Sequence, residues 1–156
     1  MKTALEMLKG FCGGSLGIGS LYWIGHWLET PLLIAPFGAS CVLLFAAATS
    51  PLAQPRNVIG GHVIAAIIGL SMLMIFGDNS IAMVLSVGVA IAAMQGLKVI
   101  HPPAGATPLV IFMSHAETTI LIPALFGSLL LVIIALAFHR LLYRAAWPVF
   151  WFKAPE

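Results

Sequence analysis

His101-Pro102-Pro103-Ala104-Gly105-Ala106-Thr107-Pro108, followed by the apolar run Leu109 to Met113, is the stretch on which the reading of this chain turns. Its prolines and small residues interrupt a sequence that is otherwise nearly continuous hydrocarbon. Pro102 and Pro103 are unsuited to a helix interior and hold the preceding backbone extended. Thr107 is a good N-cap, and Pro108 fits the first helical position, where no N–H is needed. The spacing therefore predicts a helix from about Thr107. Such a start offers unpaired backbone N–H groups and a partial positive charge. In lipid, irregular backbone survives only where protein buries it or where it lines a cavity, so this stretch is the first candidate for a working site.

The rest of the chain supplies the lipid context. Hydrophobic residues make up 61% of the 156 residues and charged residues only 8%, against about 25% charged in a soluble domain. Mean hydropathy is +1.08. This composition predicts an all-α polytopic membrane protein, with room for a single transmembrane domain over residues 1–156. Cys12 and Cys41 lie in apolar segments without metal-type spacing and read as small packing residues. No cleavable signal is expected at the start of the chain. No paired carboxylate, Ser/His/Asp set, phosphate-binding loop or Cys/His cluster is evident, so no enzyme activity, catalytic residue, metal or cofactor is expected. Nothing in the spacing of His62 and His101 suggests haem, and no basic stripe suggests nucleic acid.

In chain order, a Gly-rich span runs from about Phe11 to Trp27, with Gly10/Gly14 and Gly13/Gly17 as small-xxx-small pairs that admit a close neighbour. Tyr22, Trp23 and Trp27 suit a membrane interface. Pro31 and Pro36 mark an extended link, and the short run Gly38 to Ala48 follows. Longer spans cover about Val58 to Phe76, Ile81 to Met94 and Ile120 to Phe138. If both short runs pass through, the chain crosses six times. Lys2, Lys9, Arg56, Lys98, Arg140, Arg144 and Lys153 then share one side, while Glu29, Asp78 and Glu117 share the other. That matches the positive-inside rule and makes both termini cytoplasmic. Four spans plus two re-entrant half-helices is the alternative.

A repeat lies beneath this pattern. Shifting the chain by 67 residues lays Gly38-Ala39-Ser40-Cys41 over Gly105-Ala106-Thr107-Pro108, Pro36 over Pro103, and Gly60 over Gly127. Three crossings per half would make two inverted three-segment repeats, about 10–77 and 78–144, a plan common among transporters. A short helix over Cys41 to Thr49 is roughly 14 Å long, about half of a ~30 Å hydrocarbon core. The extended links Pro31–Phe37 and Val99–Ala104 then complete the crossings. The two short broken helices would start at the midplane from opposite directions, their N-termini converging on one volume. That arrangement favours an anion.

The predicted anion-binding residues are accordingly Gly38, Ala39, Ser40 and Cys41 in the first half, and Gly105, Ala106 and Thr107 in the second, with His101 at the entry of the second link, where it either steers or protonates the anion or makes a structural hydrogen bond. The small residues permit close backbone approach, or equally tight helix packing. Ser40 and Thr107 either donate hydroxyls to the anion or cap their own helices. His62 is an intramembrane ionisable group, a functional suspect or a hydrogen bond between helices. Gln54, Arg56 and Asn57 could gather anions at a cytoplasmic mouth, with Arg56 serving equally as a topology mark, and Pro102 and Pro103 shape the path. His26, His115 and His139 fall near predicted interfaces and receive no role.

The His101-Pro102-Pro103-Ala104-Gly105-Ala106-Thr107 stretch resembles the signature of the HPP family of integral membrane proteins. Ala35-Pro36-Phe37-Gly38-Ala39-Ser40 and the segment Pro51 to His62 resemble the family's other signature stretches, in the same order. The resemblance covers about residues 31–115. It implies a membrane protein usually described with four spanning helices, and it implies nitrite transport, with which plant and cyanobacterial members are associated. Some relatives carry a C-terminal nucleotide-sensing CBS region; this sequence does not, so regulation by that route is not implied. Together these readings predict movement of a small monovalent anion, nitrite by resemblance, across a bacterial inner or plasma membrane by a homo-oligomer. The alternatives are a channel for nitrate, formate or halide, and a non-transporting membrane assembly or sensor module.

Overall fold

The computed structural model describes residues 2–151, and among these the regular structure is helical throughout. Helix α1 (Lys2–Trp27) is 26 residues long. The short α2 (Pro36–Cys41) continues through a π-turn at Val42–Ala46. Helix α3 (Pro55–Phe76) begins on a proline after extended Gln54 and ends at Gly77, whose φ of 74° only glycine adopts easily. Helix α4 (Ser80–Gly96) is capped by Asn79, whose Oδ1 accepts the Ala82 N–H at 2.9 Å. A 3-10 turn (Pro102–Ala106) leads into α5 (Thr107–Met113). Helix α6 (Ser128–Ala137) lies between π-turns at Pro123–Gly127 and Phe138–Leu142.

Long, short, long therefore occurs twice in chain order. Among the described residues, two helical runs are long and apolar enough to span a bilayer: Pro55–Phe76, of mean hydropathy 2.3, and Thr118–Leu142, of mean hydropathy 2.8. Large apolar side chains such as Phe11, Trp23, Met74, Ile81 and Leu141 stand outward. In water such a surface is unfavourable, whereas lipid solvates it.

Contacts along the chain fix the directions of the short helices. Down α1, Gly25 lies against Leu32, Gly17 against Cys41, and Gly13 against Phe45, so α2 runs antiparallel to α1. The 47–53 segment then leads to the start of α3. Along α3, His62 meets Thr107 and Gly69 meets Pro108 and Ile111. Beyond the end of α3, Asp78 pairs with His115 at 3.1 Å. Helix α5 thus runs parallel to α3 and away from its start. The short helices set out side by side near the level of His62 and diverge toward opposite ends of the bundle.

The details differ from the sequence reading in the bounds of the short helices and in the role of Thr107. The second short helix begins at Pro102, not Thr107. Two successive prolines with φ fixed near the helical value seed a 3-10 turn, and His101 is its extended N-cap residue (φ −136°, ψ 101°). Thr107 therefore lies inside the helical segment and caps nothing. The first short helix occupies Pro36–Ala46 rather than Cys41 to Thr49, and the extended links shrink to residues 31–34 and 99–101. The close neighbour that the small-xxx-small pairs admit is, for Gly13 and Gly17, Phe45, Cys41 and Leu131 of this same chain. That pair serves internal packing. Lys153 lies outside the described residues.

Candidate functional site

Four polar side chains from α2, α3, the second link and α5 meet in the interior: Ser40, His62, His101 and Thr107, each 0% exposed. Ser40 Oγ stands 2.9 Å from His62 Nε2 and 2.9 Å from His101 Nε2. His62 Nδ1 is 3.3 Å from Thr107 Oγ1, and His101 Nδ1 is 2.8 Å from the Leu52 carbonyl. Phe37 presents its ring to His62 in an edge-to-face contact, centroids 4.8 Å apart, and the two imidazoles lie 5.1 Å apart at 68°. Backbone geometry makes the meeting possible. Gly61 lets the His101 Cβ approach α3, and the fixed proline turn then carries Thr107 to the other side of His62.

Proton positions follow from the partners. A carbonyl only accepts, so His101 Nδ1 carries a proton donated to Leu52. In a neutral His101, Nε2 then accepts from the Ser40 hydroxyl. Ser40, its one proton spent, accepts from His62 Nε2–H. In a neutral His62, Nδ1 accepts from the Thr107 hydroxyl. With both rings neutral this assignment is unique, and the four side chains form one directed chain.

The residues singled out in the sequence divide into four groups. Ser40, Thr107, His101 and His62 come together, His62 being the functional suspect of its span and hydrogen-bonded between helices as well. Gly38, Ala39, Gly105 and Ala106 sit beside the cluster on the outer, more exposed side of the short helices. Ala39 and Ala106 line an apolar groove of about 630 Å³ together with Ala35, Pro36, Pro102 and Pro103. Cys41 turns away from the cluster onto Gly17. Gln54, Arg56 and Asn57 tie down backbone. Gln54 Nε2 donates to the Ala48 and Ser50 carbonyls at 3.0 and 2.7 Å, and its Oε1 accepts the Val149 N–H at 2.8 Å. Arg56 and Asn57 donate to the Leu97 and Ile100 carbonyls, each at 2.8 Å. Irregular backbone leaves carbonyls without helical partners, and these side chains supply them.

The free amide ends expected at the helix starts are largely closed. Pro36, Pro102 and Pro103 carry no N–H. The Phe37 and Gly38 amides donate back to the Ile34 and Ala35 carbonyls, and the Ala104 amide donates to the His101 carbonyl. The donors at the junction are therefore side chains. Sequence reasoning also gave His139 no role; it is 1% exposed, and its Nε2 donates to the Leu44 carbonyl at 2.8 Å, tying α6 to the π-turn after α2.

An all-helical bundle with apolar outer faces and ionisable groups held in its interior is a polytopic membrane protein, and ionisable groups at such depth are functional suspects. The HPP transmembrane-region family model matches residues 1–148, and the chain belongs to that family. It is similar to two transmembrane proteins of Dictyostelium discoideum. One is 38% and the other 33% identical over 132 residues, which is 79% of this chain but 42% and 46% of theirs. The chain thus spans less than half the length of these curated relatives. No solved structure matches.

Proposed function

We propose that this protein transports a small monovalent anion across the membrane, nitrite being the substrate that the family resemblance suggests, and that it is not an enzyme. The observation that carries the reading is the meeting of Ser40, His62, His101 and Thr107 where the two short helices start. A small anion leaving water needs a few converging donors and a compensating positive charge. Two imidazoles can supply both, and the Thr107 hydroxyl on His62 Nδ1 holds one of them in the donating tautomer.

The same reading makes the two halves inverted repeats, with six crossings and both termini cytoplasmic. Reciprocal contacts support it. Gly60 of the first half rests on Val99 of the second, and Gly127 of the second rests on Leu32 of the first. The shift of 67 residues interchanges these two contacts. Homo-oligomer formation belongs to this proposal as well. The exposed groove of Ala35, Pro36, Ala39, Pro102, Pro103 and Ala106 brings irregular backbone close to lipid, and protein cover there removes that cost.

The test is nitrite uptake into proteoliposomes, with nitrate, formate and chloride as competitors. Uptake is expected from the wild type and is expected to fall by roughly tenfold or more in His62→Gln, because the donors around one anion act together. Wild-type vesicles no leakier to nitrite than empty ones would leave the assembly-module reading in its place.

A further inference from the structure

The Ser40 oxygen occupies an unusual position. It is the single atom on which Nε2 of His62 and Nε2 of His101 both converge, at 2.9 Å each. In the neutral cluster one of these nitrogens donates to it and the other accepts from it. The hydroxyl also has a second acceptor within reach, the Pro36 carbonyl one turn earlier on α2, at 3.4 Å. Serine in a helix commonly back-bonds to that carbonyl. A second state is therefore available without moving backbone. A proton from solvent adds to His101 Nε2, the Ser40 O–H turns to Pro36, and both imidazoles then aim N–H groups at one point with a net charge of +1. Two N–H donors and one positive charge converging on a single atom position match an oxygen of a monovalent oxoanion.

We propose that Ser40 is an internal stopper: its oxygen fills the place of the anion's oxygen until a proton enters the cluster, and Pro36 receives the hydroxyl when the anion displaces it. One proton then enters with each anion bound. This deepens the transport reading and rests on it.

The surroundings offer little competition for that role. Besides His62, α3 carries one other ionisable side chain, Arg56, which engages the Leu97 carbonyl. Neither α4 nor the 102–113 segment carries an ionisable side chain, and α2 carries only Cys41, which faces α1. The 51–53 turn contributes only its Leu52 carbonyl. His62 and His101 are thus the titratable groups that face each other, with Ser40 and Thr107 as the hydroxyls between and beside them. No carboxylate on these segments competes with an incoming anion.

Nitrite binding to the purified full chain in detergent tests this, read by calorimetry and by proton uptake with a pH-sensitive dye. The wild type is expected to take up about one proton per nitrite near neutral pH, and to bind more tightly as pH falls. Ser40→Ala removes the stopper and is expected to bind nitrite roughly three- to tenfold more tightly, the equivalent of one neutral hydrogen bond no longer displaced. Adding His62→Gln to Ser40→Ala is expected to abolish that gain. Equal or weaker binding in a folded Ser40→Ala, with His62→Gln still destroying wild-type binding, overturns the stopper and leaves the transport site standing. No binding by any form overturns both. Should Ser40→Ala fail to fold, histidine 15N spectra of the wild type decide the matter. Nε2–H for His62 and Nδ1–H for His101 support the directed chain, and the opposite tautomer at either ring overturns it.

Discussion

The two short helices are built alike and furnished differently. Each begins with an extended link and a proline turn, and in each the Gly-Ala pair two residues beyond the proline is followed by a hydroxyl, Ser40 or Thr107. Under the shift that matches the halves, however, His101 falls on Ile34 and His62 on Leu129. Both histidines belong to positions whose counterparts are aliphatic. One backbone device is repeated, and the chemistry is written on one copy of each position. The cluster thus draws hydroxyls from both segments while its imidazoles have no counterparts: His62 reaches Ser40 through one ring nitrogen and Thr107 through the other.

The largest effect should come from setting His62 against its counterpart. His62→Ala opens a cavity beside Phe37 and leaves two buried hydroxyls short of a partner, so we expect a loss of about 4 kcal/mol in detergent unfolding. Leu129, 39% exposed toward lipid, should lose about 1 kcal/mol or less as alanine. Equal losses at the two positions would erase the contrast. Next come the paired glycines. A methyl at Gly127 meets the Leu32 backbone carbonyl and the Phe37 ring, whereas a methyl at Gly60 meets only the Val99 side chain, at 3.1–3.2 Å. Gly127→Ala should therefore cost about 3 kcal/mol and Gly60→Ala about 1 kcal/mol, measured by thermal unfolding. Comparable values would mean that both links yield equally.

Gln54→Ala has no partner in the second half to compare with, since the shift places Leu121 opposite it. It strands the Ala48 and Ser50 carbonyls and frees Val149, and should cost about 2 kcal/mol. Proteolysis of the 145–151 segment should speed up in step. The smallest effect is expected from Thr107→Ser, which keeps the hydroxyl bonded to His62 and should change stability by about 1 kcal/mol at most. Thr107→Val removes that bond while keeping the shape, and a greater loss of nitrite flux in Thr107→Val than in Thr107→Ser separates hydrogen bonding from packing.

Much of this was legible in the sequence because proline, glycine and hydroxyl residues constrain backbone locally. Pro36 and Pro103 locate the two short helices, although the sequence alone puts their starts several residues late, at about Cys41 and Thr107, and the 67-residue shift pairs Ser40 with Thr107. What was hidden is non-local. Ser40 is 22 residues from His62 and 61 from His101, so no periodicity could reveal their convergence. The Thr107 cap was misread because a proline pair can itself open a turn, here five residues earlier. Gln54, Arg56 and Asn57 look like a polar mouth in sequence. Which loop carbonyls lacked partners became visible only once the loops were folded.

The π-turns at Val42–Ala46, Pro123–Gly127 and Phe138–Leu142 carry a last consequence. A π-turn holds one more residue than the α-helical turn it replaces. Single-residue indels at these three places thus have a built-in sink: deletion there tightens the spiral to ordinary pitch instead of tearing it. Residues beyond such a deletion keep their facing, because the turn still closes one circuit, whereas a deletion inside an α-helical stretch swings them by about 100°. A residue lost within Ser128–Ala137 would therefore carry the His139 imidazole off the Leu44 carbonyl, while the spare residue at Phe138–Leu142 can be lost without unlatching that contact.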